Sequence, residues 1–230
     1  MARDVASPAT DEGPGARKHG VLSFFKELPV LIALALGIAL LVKALLVQAF
    51  FIPSASMEPT LLIGDRVLVS KLSYRIGDPD RGDVVVFKDP YEEQRCPKNP
   101  PPGVAQPEEC SKGVLRKAYE WFAELFGLPT GETKDYIKRV AALPGETVEM
   151  RDGDVYIDGK KIDFPHTARE GPQKDSVNVA PYRVPEGEYY VLGDNRGNSS
   201  DSRIFKSISR KKIVGKAFVL LWPPNRFSGL

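Results

Sequence analysis

Three short stretches of this sequence carry more hydroxyl, amine and carboxylate groups than turns or strands require. The first is PSASMEPTL, which contains Ser54 and Ser56, and the second is DYIKRVAALPGE, which contains Lys138. The third is GDNRGNSSDSR, residues 193–203. A serine hydroxyl becomes a strong nucleophile when a nearby group removes its proton, so the first two stretches could together supply a nucleophile and its base.

Histidine and cysteine are too scarce for several common kinds of site. The chain has two histidines and two cysteines, and His19 lies in a polar N-terminal segment, which leaves His166 for a folded domain. A zinc cluster or a haem site would lack ligands, and we expect no metal and no cofactor. A Ser-His-Asp triad would depend on His166 alone. The net charge of +2 gives no indication of nucleic-acid binding.

Lys138 is a candidate base because of its neighbours along the chain. In a strand over residues 136–141, alternation places Tyr136, Lys138 and Val140 on one face. Burial there would disfavour the ammonium form and lower the pKa of Lys138, so that a neutral amine could take a proton from a serine. The alternative is a lysine whose ammonium group reaches solvent, with serines that serve only in turns.

The stretch 193–203 is typical of a loop that orients other groups. It combines aspartate, asparagine, serine and arginine side chains within eleven residues. Such side chains can bind a buried amine by hydrogen bonds, and Asp–Arg pairs can make the loop rigid.

The N-terminal part of the sequence predicts a tail and one membrane span. Residues 1–20 are polar, and residues 1–27 are predicted to form a disordered cytoplasmic tail, whereas residues 28–52 are predominantly apolar with one charge, Lys43. This run is long enough for a transmembrane helix, and its apolar residues surround the helix, which favours lipid over a protein core. Basic residues before the span predict a cytoplasmic N-terminus and an extracytoplasmic domain. A cleavable signal peptide is the alternative, but its apolar region is normally shorter.

Residues 53–230 predict a β-rich extracytoplasmic domain. The predicted strands are 65–72, 83–88, 136–143, 146–150, 188–193 and 213–222, together with a hairpin over 155–162 that turns at Asp158-Gly159. Residues 89–135 look like an insertion, with a proline-rich segment between Cys96 and Cys110 and then an amphipathic helix. Whether the two cysteines form a disulfide is left open by the sequence.

Taken together, the motifs resemble those of the bacterial type I signal peptidases, which are membrane-anchored serine proteases. PSASMEPTL, GDRVLVSK, RGDVVVF, YIKRVAALPGE and GDNRGNSSDSR follow in the order typical of that family. The resemblance covers residues 28–222 except the insertion at 89–135. The resemblance implies a mainly β catalytic domain after one N-terminal transmembrane helix in the cell membrane. It also implies an endopeptidase that removes signal peptides from exported preproteins after small-x-small (Ala-x-Ala) sites. The lipid bilayer and transient association with the secretion machinery are the further expected partners.

The resemblance also implies roles for individual residues. Ser56 matches the nucleophile and Lys138 the general base of a Ser/Lys dyad. Ser54 matches a serine whose hydroxyl joins the Ser56 backbone N–H in an oxyanion hole, and Ser199 matches a serine that orients the lysine. The remaining expected supporting residues are Tyr136, Asp194, Asp201 and Arg203.

Two departures from the family pattern concern the geometry of the third stretch. Gly197 stands where aspartate is frequent, and Lys206 stands where glycine is usual. Two other classes of protein are the alternatives. Self-cleaving repressors of the DNA-damage response share the Ser/Lys chemistry but would need a DNA-binding domain where this chain has its apolar run. A non-catalytic, membrane-tethered binding protein would not need to keep both Ser56 and Lys138.

Overall fold

The computed structural model describes residues 28–38, 46–96, 135–164 and 177–230, together with the single positions 110, 113, 115 and 119. The chain divides into two compact units, Met1–Val42 and Lys43–Leu230. The predicted tail and the amphipathic helix of the insertion lie outside the described residues, apart from single positions of that helix.

In the first unit, the described residues 28–38 form helix α1. Most of its large apolar side chains are exposed, among them Val30, Leu34 and Ile38. Within the described ranges, no helix has both the length and the apolar character needed to cross a bilayer.

The end of the predicted span differs from the prediction. Val47–Phe51 form strand β1, which pairs antiparallel with β2 (Arg66–Ser70) along its whole length. The predicted helix over 28–52 is therefore wrong for these five residues. A continuous apolar run does not distinguish a helix from a strand, and the aromatic pair Phe50-Phe51 favours the pleated conformation.

The second unit contains a large antiparallel sheet. Its strand order is β1-β2-β11-β3-β4-β9-β10, and β12 pairs with β11. Besides β1 and β2, its strands are β3 (Val84–Lys88), β4 (Asp135–Ala142), β9 (Glu188–Leu192), β10 (Ile208–Ser209), β11 (Ile213–Trp222) and β12 (Ser228–Gly229). All pairs in this sheet are antiparallel.

A smaller sheet is formed by the chain between β4 and β9. Its order is β7-β6-β5-β8, with β5 (Thr147–Arg151), β6 (Asp154–Ile157), β7 (Lys160–Ile162) and β8 (Val179–Arg183). The predicted hairpin is confirmed, since Asp158 and Gly159 connect β6 to β7 with φ of 50° and 77°. The mainly β prediction is likewise confirmed, and every predicted strand is present.

Short helices connect the strands. The α-helices α2 (Ser73–Ile76), α3 (Glu92–Arg95) and α4 (Ser202–Phe205) are one turn each. Single 3-10 turns occur at Ala55–Met57, Arg196–Asn198, Arg210–Lys212 and Pro224–Arg226. Next to α3, Cys96 and Cys110 form a disulfide, which answers the question that the sequence left open.

The central strands β3 and β4 are buried on both faces. Val84 and Val86 belong to one core cluster, whereas Val85 and Phe87 belong to another. Six consecutive residues of β4, from Ile137 to Ala142, are buried. A polar side chain on β4 is therefore removed from water by the fold itself.

Candidate active site

Ser56 is fixed by the buried residues that follow it. It lies in the 3-10 turn Ala55–Met57, and the side chains of Met57 and Leu61 are fully buried in a core cluster with residues of β2 and β3. The backbone N–H of Leu61 donates to the Met57 carbonyl at 2.9 Å. Burial of these two large side chains just after Ser56 leaves its hydroxyl little freedom to move.

Lys138 lies on β4 and its side chain meets Ser56. Its Nζ is 2.6 Å from Ser56 Oγ and donates to the Ile137 carbonyl at 2.8 Å. Lys138 is 3% exposed and Ser56 is 8% exposed. The alternative of a lysine that reaches solvent is therefore wrong, and the expected desolvation is confirmed.

Burial is the main cause of the altered acidity of Lys138. It lowers the pKa of Lys138 from its ordinary value of 10.5 to about 8. The carboxylates of Asp201 and Asp194 act in the opposite direction and raise this pKa, whereas the Arg203 guanidinium lowers it. At mildly alkaline pH a substantial fraction of Lys138 is therefore a neutral amine with a free lone pair.

Ser54 supplies a second hydroxyl close to that of Ser56. Its Oγ donates to Ser56 Oγ over 3.4 Å, a long hydrogen bond, and the residue is exposed. Two hydroxyl groups and one amine therefore converge at a point where the chain meets solvent on one side and β4 on the other.

Asp194 links the third stretch to the strand that carries Lys138. Its carboxylate accepts two hydrogen bonds from Arg139, from Nε at 2.9 Å and from Nη2 at 2.7 Å. Thr60 Oγ1 donates to the same carboxylate at 2.6 Å. Asp194 thus joins β4 to the segment that follows Ser56, and the two-point contact with arginine fixes the orientation of both groups.

Asp201 and Arg203 make the rest of the loop rigid. Arg203 donates to Asp201 from Nε and Nη2, both at 2.8 Å, and to the Arg196 carbonyl at 2.7 Å. Asp201 also accepts from the Gly193 N–H at 3.0 Å. The pair therefore connects the start of the loop to its end.

Asn195 and Gly193 contact the backbone of Ala55 and Ser56 directly, and sequence reasoning did not single them out. The Asn195 backbone N–H donates to the Ser56 carbonyl at 3.2 Å, and its Nδ2 donates to the Ala55 carbonyl at 3.0 Å. A Cβ at Gly193 would lie 2.5 Å from the Ser56 carbonyl oxygen, so only glycine fits there. Since these contacts are with backbone atoms, no side-chain pattern in the sequence could have indicated them.

Ser199 and Tyr136 are placed differently from the other predicted residues. Ser199 Oγ is buried and makes no hydrogen bond within the described part of the chain, and the hydrogen bonds of Lys138 Nζ go to Ser56 and Ile137. The ring of Tyr136 stacks on Phe87 with centroids 5.8 Å apart. The role of Ser199 in orienting Lys138 and the supporting role of Tyr136 therefore stay predictions.

The polar groups of the site show no arrangement for a metal ion. Across residues 28–38, 46–96, 135–164 and 177–230 and the single described positions, no group of three or more His, Cys, Asp or Glu residues could hold one. The chemistry available to the described residues is that of a serine hydroxyl next to a desolvated amine.

Comparison with known proteins decides the family. The sequence profile described as "Signal peptidase, peptidase S26" matches residues 25–222. The chain belongs to the signal peptidase family, peptidase S26. It shares this membership with a probable signal peptidase I-2 from Synechocystis, to which it is 34% identical over 98% of its own length and 84% of the relative's.

Two further relatives match over most of their length. A probable signal peptidase I-1 from Synechocystis is 35% identical, with 90% of this chain and 87% of the relative covered. A signal peptidase I from Mycobacterium tuberculosis is 30% identical, with 97% and 80% covered. The family resemblance predicted from the motifs is thus confirmed, and this member of the family is a serine endopeptidase.

Proposed function

We propose that this peptidase removes signal peptides from exported preproteins, after small-x-small sites, through a Ser56/Lys138 dyad. The observation that carries the proposal is the 2.6 Å distance between Ser56 Oγ and the buried Lys138 Nζ. A nucleophile in hydrogen-bond contact with a base is the geometry that activates a hydroxyl group. Family membership supports preproteins as the substrate class.

The first half of the reaction is acyl transfer to Ser56. Neutral Lys138 accepts the Ser56 proton while Oγ attacks the scissile carbonyl carbon, which forms a C–O bond and a tetrahedral oxyanion. The C–N bond then breaks, and the Lys138 ammonium donates its proton to the leaving amine. The mature protein departs with a new N-terminus, and the signal peptide stays bound to Ser56 as an ester.

The second half releases the signal peptide. Lys138, neutral again, accepts a proton from a water molecule that attacks the ester carbonyl. Collapse of this second tetrahedral oxyanion breaks the C–O bond, and Lys138 returns the proton to Ser56 Oγ. At the end of the cycle Ser56 has its proton again and Lys138 is neutral. The same amine has served as base and as acid in both halves.

The contacts of Lys138 suit this role. A neutral amine has one lone pair, which can accept from the Ser56 hydroxyl while an N–H of the same amine donates to the Ile137 carbonyl at 2.8 Å. That carbonyl therefore fixes the direction of the lone pair. Burial supplies the low pKa, so no histidine is needed.

Ser54 and the Ser56 backbone N–H are the proposed oxyanion donors. The Ser54 hydroxyl lies 3.4 Å from Ser56 Oγ. From this position it can rotate toward the oxyanion that forms on the substrate carbon attacked by Ser56 Oγ. Such donors are typically worth a few kcal/mol each, because they interact more strongly with the transition state than with the substrate.

We further propose that the apolar segment before β1 anchors the enzyme in the cell membrane, with a cytoplasmic N-terminus and an extracytoplasmic catalytic unit. Basic residues precede the apolar run, and the run ends shortly before Ser56 in the sequence. A nucleophile that is close in sequence to a membrane anchor suits a substrate whose cleavage site also lies close to a membrane-embedded segment. Protease added outside intact cells should digest residues 53–230 and spare the N-terminal tail.

The proposal is tested by cleavage of a purified preprotein in detergent, with the new N-terminus read by mass spectrometry. Wild type should cut after a small-x-small site, whereas Ser56→Ala and Lys138→Ala should each lose at least about 10³-fold in rate. Ser200→Ala and Lys216→Ala are matched controls, since both residues are solvent-accessible and neither contacts the dyad. Near-full activity of Lys138→Ala would refute the dyad, and an inactive wild type would favour the tethered binding protein.

A further inference from the structure

The C-terminal residues 223–230 lie beyond the segment that matches the family profile, which ends at residue 222. The chain turns back after β11 through the 3-10 turn Pro224–Arg226, and β12 pairs with β11 at Val219 and Leu220. The Leu230 N–H donates to the Phe218 carbonyl at 3.1 Å. The end of the chain is thus anchored to the large sheet and points the Arg226 side chain at the segment that follows Ser56.

Arg226 binds this segment at two places. Its Nη1 donates to both carboxylate oxygens of Asp65, at 3.0 and 2.8 Å, and its Nη2 donates to the Thr60 carbonyl at 3.2 Å. The Asp65 side chain is 3% exposed and that of Arg226 is 26% exposed. We call Arg226, Asp65 and the Thr60 carbonyl the C-terminal clamp.

The clamp is continuous with the active site through Thr60. The Thr60 carbonyl accepts from Arg226, while its hydroxyl donates to Asp194 at 2.6 Å. Asp194 in turn pairs with Arg139, the residue after Lys138 on β4. Thr60, four positions after Ser56, is therefore bound by Arg226 of the C-terminal segment and by Asp194, which pairs with Arg139 of β4.

Asp65 closes the other end of the same segment. Its carboxylate accepts from the Leu62 N–H at 2.8 Å, and its carbonyl accepts from the Ile52 N–H at 2.9 Å. The nucleophile thus lies between two backbone points, Ile52 and Leu62, that both bind Asp65. Without Arg226, the buried Asp65 carboxylate would lose its paired cation, and a buried charge without a partner favours rearrangement toward water.

We propose that Arg226 is a positioning residue that sets the distance between Ser56 and Lys138 through the C-terminal clamp. This rests on the proposed function of the dyad. Arg226 touches none of the reacting atoms, so its loss should alter turnover rather than substrate affinity. A displacement of about 1 Å at a reacting group can cost on the order of 100-fold in rate.

The test compares three variants of the full chain in detergent. Arg226→Ala removes the clamp, and Arg226→Lys keeps a cation but loses the two-point contact. Arg210→Ala is the matched control, because the Arg210 side chain is 27% exposed and binds Asp78 and the carbonyls of Tyr74 and Gly77. For each variant we would measure kcat and KM on a preprotein, the melting temperature, and hydrogen–deuterium exchange.

At an assay temperature well below its melting temperature, Arg226→Ala should lose at least about tenfold in kcat, while its KM stays within about twofold of that of wild type. Arg226→Lys should recover part of the lost kcat. Arg210→Ala should retain wild-type kcat, even where its melting temperature falls equally. Unchanged kcat in Arg226→Ala, or an equal loss in Arg210→Ala, would overturn the proposal.

Hydrogen–deuterium exchange separates this proposal from the proposed function. In Arg226→Ala, but not in Arg210→Ala, the amides of Leu61, Leu62 and Gly64 should exchange about tenfold faster. This result is expected even if the wild type cuts no preprotein, in which case the proposed function fails while the clamp stands. Unchanged exchange over residues 57–65 would refute the clamp whatever the activity.

Discussion

Lys138 is a lysine in an unusual location, the buried interior of a sheet. It lies on a central strand that is buried on both faces, and burial lowers its pKa to about 8. Two aspartates act against this shift, but each is bound to its own arginine: Asp194 to Arg139 and Asp201 to Arg203. Burial is the largest influence on the pKa of the lysine, and the Arg203 guanidinium lowers this pKa further.

The buried lysine should reduce the stability of the protein at neutral pH. Between pH 8 and 10.5 the unfolded chain binds a proton at this position that the folded chain does not, so stability rises with pH across that window. Below pH 8 the buried lysine lowers the free energy of unfolding by a constant amount, on the order of 3 kcal/mol. Lys138→Met should therefore melt at a higher temperature than wild type at pH 7, and the difference should shrink toward pH 10.

Ser56→Ala is the control for this stability prediction, since it removes the hydroxyl but retains the lysine. Its melting temperature should follow pH as that of wild type does. Equal pH trends in Lys138→Met and wild type, measured by tryptophan fluorescence, would contradict the assigned cause.

Lys206 has a backbone conformation that favours glycine. Its φ is 65° and its ψ is −155°, at the end of α4, and an L-residue there costs on the order of 1–3 kcal/mol. Its Nζ lies over the ring of Tyr182 at 5.4 Å from the centroid, which offsets part of the strain. Lys206→Gly should raise stability by about 1 kcal/mol, because relief of strain exceeds the entropy cost of glycine.

Lys206→Ala distinguishes strain from the ring contact. It keeps the strained backbone and loses the cation, so we expect it to be less stable than wild type. If glycine were no more stable than alanine in thermal unfolding, the strain at position 206 would be absent.

The close approach of two segments is the main feature at the scale of elements. The turn that carries Ser56 and the loop over residues 193–203 contact through backbone atoms, and Gly193 is the point of closest approach. A Cβ there would lie 2.2 Å from Ser199 Oγ and 2.5 Å from the Ser56 carbonyl oxygen. Of these, the serine side chain can rotate, but the Ser56 backbone can only move away.

Gly193→Ala should therefore displace Ser56, the proposed nucleophile. We expect at least about a 100-fold loss in kcat from a shift of this kind. Gly77→Ala is the control, because its added Cβ would meet only the Ser73 carbonyl at an ordinary 3.7 Å. Wild-type kcat in Gly193→Ala would show that the two segments can separate without effect on the dyad.

Predictability from sequence differed between the strands and the site. Short apolar runs bounded by turn residues predicted the strands around Lys138, and Asp158-Gly159 predicted the β6–β7 hairpin. Strand β1 was missed because its residues continue a long apolar run with no turn residue directly before them. In the site, Ser56 and Lys138 were identifiable by type and motif, whereas Arg139, Asn195 and Arg226 were not, since their partners are distant in sequence or are backbone carbonyls.

At the scale of the whole molecule, the large sheet brings distant parts of the sequence to one point. The segment that carries Ser56 follows β1 and precedes β2, Lys138 lies on β4, the loop over residues 193–203 follows β9, and the C-terminal segment returns along β11. Each part contributes a contact to Ser56 or to its neighbours. The activity of the enzyme is therefore expected to depend on the sheet order as much as on the two residues of the proposed dyad.

The most direct test of the dyad is the pH dependence of kcat/KM for preprotein cleavage by the full-length enzyme, from pH 5 to 10. Because only neutral Lys138 can accept the Ser56 proton, kcat/KM should rise with pH to a plateau above a midpoint near 8, and should fall about tenfold for each pH unit below that midpoint. A profile that stays flat down to about pH 5 would contradict lysine as the base.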